Sequence, residues 1–272
     1  MNCHAGLAFT VLGPAFERDS TGSSSSSPAR SPPLPPVLCF HGSGSSNHYD
    51  TWLPLVQEIS TFATVLFYER RGVGASSDDK TDSHSQTPRD ALKDLLGLLQ
   101  HLHLKPPYVL IAHSYGGTFA REFLQQYPDQ VAGLVLAETG QETPTRHDEE
   151  QYRKQALGNK PLSVIHADSL HEKRRVGTTS AAGLEMLRKW AEEDERLKKA
   201  QMQLSSNARY IRVDDCGHNI VRHRPHIVSG EVIWVLNNVK PAQRPVGLWG
   251  FGRFLGERIS RLRGQKSKEQ TS

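Results

Sequence analysis

Cysteine is scarce in this chain. Its 272 residues contain three, Cys3, Cys39 and Cys216, widely spaced and without a CxxC pair. That argues against a disulfide framework and against a zinc cluster. Long apolar runs are also missing: none reaches the roughly 18–20 residues that span a bilayer. The N-terminal stretch from Met1 to Pro14 lacks a basic segment and soon meets Glu17-Arg18-Asp19, so no secretory signal is expected. The expected location is cytoplasmic and reducing. A basic excess is missing from the body of the chain. The net charge is +4, but residues 240–272 alone hold eight Lys/Arg and two Glu, which leaves the first 239 residues at −2. A nucleic-acid partner is therefore not expected, and no metal or other cofactor is called for.

Several segments are poor in apolar residues. Six serines fall between 20 and 27, and prolines follow at 28, 32, 33, 35 and 36. We read 19–36 as a flexible Ser/Pro-rich loop. Residues 139–160 are polar and partly helical. The tail, 240–272, is set apart from the body, 1–239. It places Leu248, Phe251, Leu255, Ile259 and Leu262 at helical spacing among arginines, a pattern that could lie on a membrane surface. Glycines at 247, 250, 252 and 256 weaken that helix, so docking on the body or disorder is preferred.

The remainder alternates short apolar runs with helical patterns. Strands are predicted at 7–12, 37–40, 63–68, 108–111, 131–137, 161–167 and 210–213. Helices are predicted near 52–59, 87–102, 116–127, 182–204 and 224–238. Apolar strands without alternation imply a sheet covered on both faces. The expected fold class is α/β, with a mostly parallel central sheet of about seven or eight strands and helices on both sides.

The most informative residues are Ala112-His113-Ser114-Tyr115-Gly116, between the apolar run 108–111 and a helical pattern. A strand that turns sharply into a helix lifts one hydroxyl out of the fold beside a helix N-terminus. Small residues at 112 and 116 let strand and helix pass closely. Ser114 is the candidate nucleophile. A serine hydroxyl needs a base, a group that orients the base, and N–H donors for the oxyanion. His218, after the last strand in Asp215-Cys216-Gly217-His218, is the candidate base. The backbone N–H groups of Ser43, after His41-Gly42, and of Tyr115 are the oxyanion candidates. The acid has two candidates, Glu138 and Asp168, each at a strand's C-terminal end, where parallel sheets build their sites. Glu138 follows an all-apolar run and needs a partner if buried, whereas Asp168 could simply cap the next segment. We weigh Glu138 slightly ahead. His113 is read as a structural strand-end residue and Cys216 as a small filler.

From residue 37 to about 239 the chain resembles the α/β-hydrolase superfamily. The matching motifs are His41-Gly42, Arg71-Gly72-Val73-Gly74-Ala75-Ser76, the serine turn at 112–116, and Gly217-His218. The resemblance implies an eight-stranded sheet, Ser114 as nucleophile, His218 as base, and Ser43 and Tyr115 as oxyanion donors. It implies an acid after the seventh strand, loosely matched by Asp168, or in some members after the sixth, where Glu138 falls. Residues 139–160 occupy the place of the family's lid, here short. Ala112 replaces the usual first glycine of the turn, and Glu69 stands where Asp is usual. The serine separates this chain from relatives that attack with aspartate. The expected activity is hydrolysis of a carboxylic ester or thioester of a small acyl substrate, through an acyl-serine. The alternatives are a non-catalytic small-molecule-binding protein of the same fold, or an acyltransferase using the same three side chains.

Overall fold

The computed structural model describes residues 1–14, 34–43, 49–76, 86–140, 146–168, 170–171 and 180–240. Most of the Ser/Pro-rich segment 19–36, residues 141–145 of the expected lid and the tail beyond residue 240 lie outside them. Residues Met1–Val239 form one compact unit.

The elements in chain order are β1 (Asn2–His4), β2 (Leu7–Leu12), β3 (Val37–Phe40), α1 (Tyr49–Ser60), β4 (Val65–Tyr68), α2 (Pro88–His101), β5 (Tyr108–His113), α3 (Gly116–Gln126), β6 (Val131–Ala137), α4 (Arg146–Arg153), β7 (Leu162–Ala167), α5 (Ala181–Ala200), β8 (Ala208–Val213), α6 (Ile220–His223) and α7 (Pro225–Asn238). The eight strands form one sheet in the order β1-β2-β4-β3-β5-β6-β7-β8. Only β1–β2 and β2–β4 pair antiparallel; the rest are parallel.

The unbroken apolar strands follow from burial on both faces. Leu38, Phe40, Leu110, Ala112, Leu134 and Leu136 pack on one side against Leu95, Leu98 and Leu99 of α2 and Phe119 and Phe123 of α3. The intervening Cys39, Val109, Ile111, Val135 and Ala137 pack on the other side against α1 and α7. Successive strand side chains point to opposite faces, so each run feeds both cores. Helix α2 begins where Thr87 accepts a hydrogen bond from the Asp90 amide and Pro88 opens the first turn.

Several element ends fall two or three residues from the sequence expectation, among them the starts of α1, β4 and β8. Strand β1 is three mostly exposed residues, joined to β2 through Ala5 and Gly6, both at positive φ (48° and 80°). Such a two-residue turn sets a hairpin without any apolar pattern. Strand β5 continues to His113, because paired β6 carries the ladder to Ala137. The predicted helix 182–204 is α5 followed by a 3-10 turn at Gln201–Leu204. Within residues 139–160, α4 is tied to α3: Arg121 donates to Gln151 (2.9 Å) and Tyr152 (2.8 Å) and pairs with Asp148 (2.9 Å).

Candidate active site

Strands β3, β5, β6, β7 and the loop after β8 all end at one edge of the sheet. Ser114 follows β5 with a φ of 52°, while its amide still donates to the Ala137 carbonyl at 3.1 Å. A non-glycine residue in this left-handed region is uncommon and strained. Ser114 is half-buried, between the strand and the exposed N-cap residue Tyr115. The first amides of α3 have no acceptor within the helix, which makes the Tyr115 N–H a usable donor. Glycine at 116 is dictated by packing: a Cβ there would sit 2.1 Å from the Phe40 carbonyl oxygen. The helix behind Ser114 thus lies directly on the end of β3, from which the loop carrying Ser43 departs.

That loop is held by a residue just ahead of the Arg71–Ser76 motif, to which the sequence assigns no role. Arg70 is buried, and its guanidinium donates to the carbonyls of His41 (2.6 Å) and Gly42 (2.7 Å). It stacks 4.1 Å above the Phe119 ring of α3. Burial lowers its pKa to about 10. The His41 ring accepts from the Arg70 amide (3.1 Å) and donates through Nδ1 to the Gly42 carbonyl (2.9 Å). In a trans peptide the carbonyl and the following N–H point opposite ways. Pinning the Gly42 oxygen from one side therefore presents the Ser43 N–H on the other. Glu69, at the position where Asp is usual, accepts from the amides of Tyr49 (3.1 Å) and Ala75 (2.7 Å) and closes the 69–76 turn.

The structure brings His218 and Glu138 together. His218 Nδ1 lies 3.2 Å from Glu138 Oε2, with Glu138 fully buried and His218 about a third exposed. Glu138, like Ser114, sits at a strand end with positive φ (55°). Its other oxygen, Oε1, accepts from the Ala167 amide at 2.7 Å and lies 3.6 Å from the Lys198 ammonium. Asp168 is buried at the end of β7, where its Oδ1 accepts from the Leu170 amide (3.1 Å), the capping role available to it. It lines a cavity of about 410 Å³ with His166, Leu184, Arg188 and Arg212. Its own amide donates to the Cys216 carbonyl at 2.8 Å and so steadies the His218 loop. Cys216 is buried beside it. Asp214 and Asp215 pair with Arg212 and Arg224.

His113 does more than end a strand. It is fully buried, its Nε2 donates to the His218 carbonyl at 2.7 Å, and the two rings lie 4.9 Å apart. Burial, and secondarily the His218 imidazole, pushes its pKa down to about 3. It is therefore a neutral Nε2–H donor locking the His218 loop beside the residue that precedes Ser114. Trp52, fully buried, packs edge-on against His113 with ring centroids 6.4 Å apart.

A model of the alpha/beta hydrolase fold matches residues 35–192, more than half the chain. The chain belongs to the alpha/beta hydrolase fold family. It is 29% identical to the Bacillus subtilis (strain 168) protein YqjL over 201 residues, covering 69% of this chain and 78% of that protein. Its fold is similar to that of a thermophilic esterase from Thermogutta terrifontis (TM-score 0.53, 17% identity, 86% of this chain and 94% of the other). It is similarly close to the enol-lactonase from Burkholderia xenovorans LB400 (TM-score 0.52, 16% identity, 85% and 96%). Among the described residues, no helix is long and apolar enough to cross a membrane.

Proposed function

We propose that this chain is a serine hydrolase that cleaves a carboxylic ester or thioester through an acyl-serine intermediate. The observation that carries the reading is the Glu138–His218 contact of 3.2 Å at the sheet edge where Ser114 stands at positive φ. In this mechanism His218 Nε2 takes the Ser114 proton as Oγ attacks the acyl carbon. The tetrahedral oxyanion is met by the N–H groups of Ser43 and Tyr115, which the Arg70 clamp and the start of α3 orient. Glu138 balances the imidazolium that forms. Collapse breaks the bond to the alcohol or thiol, which leaves with the proton from Nε2. Water, deprotonated by His218, then attacks the acyl-serine, and the acid is released as Ser114 regains its proton.

The esterase and lactonase nearby in fold act on ester bonds of their own and support this substrate class. The test is fluorophosphonate labelling and p-nitrophenyl ester hydrolysis by the full chain, with mass spectrometry of the modified peptide. Label on Ser114, lost in Ser114→Ala, is expected. Absence of label and turnover in the wild type, or undiminished label in Ser114→Ala, overturns the reading.

A further inference from the structure

Helix α5 carries mostly exposed charges, but Lys198 is fully buried. A lysine ammonium in the interior is costly unless paired and hydrogen-bonded. Lys198 meets two carboxylates. One is Asp194, a turn earlier on α5, with which it forms a close ion pair; the other is Glu138, whose Oε1 lies 3.6 Å from Nζ. Asp194 is held in turn by β7, through His166 Nε2 at 3.1 Å. His166 Nδ1 faces the Tyr210 hydroxyl at 2.5 Å and Arg212 Nη1 at 3.2 Å. A line of side chains, buried beyond the part-exposed His218, thus runs His218, Glu138, Lys198, Asp194, His166.

The same end of α5 grips the strand-end turn a second time. The Gln201 amide donates to the Thr139 carbonyl (3.0 Å) and accepts from the Thr139 hydroxyl (2.6 Å). A Cβ at Gly140 would lie 2.6 Å from that amide. The helix end is therefore fitted to the turn that aims Glu138.

We propose that Lys198 is a positioning residue whose ammonium, divided between Asp194 and Glu138, sets how strongly Glu138 holds the proton on His218. The proposal deepens the serine-hydrolase reading and rests on it for its catalytic meaning. A carboxylate facing imidazole alone stabilises the imidazolium fully; a cation beside its other oxygen draws off part of that charge. The His218 proton is then released more readily to a leaving group. Asp194 opposes this by sharing the ammonium. The charged and titratable groups that face this line include His113 from β5, His166 from β7, and Tyr210 and Arg212 from β8, besides Glu138 from β6 and Lys198 and Asp194 from α5.

The two ends of the ion pair must act with opposite sign. Lys198→Met removes the cation and moves the midpoint of the His218 ring titration to higher pH. Asp194→Asn leaves the ammonium to Glu138 alone and moves it to lower pH. A helix-packing role alone lowers the melting temperature of both variants and gives no such opposition. The measurement is an NMR titration of the His218 ring protons, assigned with His218→Gln, on the full chain and both variants. Shifts of about half a pH unit or more in opposite directions are expected. The acid limb of kcat/KM on p-nitrophenyl acetate is expected to move with them. Unmoved midpoints, or movement in one common direction, overturn the proposal. The ring titration needs no turnover. Opposite shifts in a protein that neither labels nor hydrolyses would sink the hydrolase reading and keep the electrostatic link. Normal labelling with unmoved midpoints would sink the role of Lys198 alone.

Discussion

Nδ1 of His218 and Oε2 of Glu138 meet at 3.2 Å although eighty residues separate them in the chain. The sheet order explains the meeting, because β6 and β8 flank β7 and all three end at one edge. Asp168 ends the strand between them and is occupied by the Leu170 amide. Glu138→Gln keeps the shape and removes the charge. Its kcat on a p-nitrophenyl ester is expected to fall by about 10²–10⁴ with little change in KM, the scale seen when a triad carboxylate is neutralised. Asp168→Asn is expected to lower kcat at least an order of magnitude less. The reverse ranking would make Asp168 the acid.

Arg70 makes a second expectation. It reaches the carbonyls of His41 and Gly42 and so sets the peptide that ends in the Ser43 N–H. Arg70→Gln frees that peptide to rotate. Loss of one oxyanion donor costs roughly 10²–10³ in rate, and a loosened donor somewhat less, so kcat should drop about 10–100-fold while KM moves little. Two hydrogen bonds from a charged group are also lost, so stability should fall by roughly 2–4 kcal/mol. Steady-state kinetics together with urea unfolding read both. A large KM effect with unchanged kcat would place Arg70 in ground-state binding instead.

Glycine positions give a test of the packing itself. A Cβ at Gly116 would sit 2.1 Å from the Phe40 carbonyl oxygen and 2.7 Å from its carbon, backbone atoms with no flexible end to yield. Gly116→Ala should cost about 2–3 kcal/mol or more, or prevent folding. Gly97, inside α2, meets nothing within 4 Å. Gly97→Ala should raise stability by about 0.4–1 kcal/mol, since alanine restricts the unfolded chain and suits a helix. Thermal melts of the two variants should therefore move in opposite directions.

Much of the fold was legible because its signals are local. Apolar runs such as Val131–Ala137 are buried along their whole length, so composition alone marks them as central strands. The serine turn declares itself through neighbours within two residues. Other features depend on distant contacts. Glu138 and Asp168 look alike in sequence, since both end apolar strands. What sets them apart is the left-handed turn at 138 and the packing of α5 against it, neither of which has a local signal. Lys198 follows Asp194 by four residues, the same spacing that links Glu195 to Lys199 on the exposed face. Only burial distinguishes the two pairs. Arg70 stands just ahead of the 71–76 motif, and nothing nearby tells that its partners lie 28 and 29 residues earlier. Strand β1 is polar and short, and its pairing comes from a turn rather than from its own side chains.

His113 carries a prediction about pH and stability. Burial lowers its folded-state pKa to about 3, whereas an unfolded histidine titrates near 6.5. The ring has one hydrogen-bonded nitrogen, donating to the His218 carbonyl, and its Nδ1 has no hydrogen-bond partner. A second proton would thus enter an apolar site with no acceptor. Between these two values the unfolded chain binds the proton and the folded chain does not. The contribution is fully present above about pH 6.5 and is lost as pH falls toward 3, at about 1.4 kcal/mol per pH unit. His113→Gln replaces the donor at the Nε2 position with an amide that does not titrate. Unfolding free energies measured by urea denaturation from pH 7 to 4 should fall more steeply in the wild type than in His113→Gln, by about that slope. Parallel curves would mean that His113 is reached by protons without unfolding. The loop of His218 would then have to open in the native state across this range, and amide hydrogen exchange in the 214–219 segment would rise as pH falls after correction for the intrinsic rate.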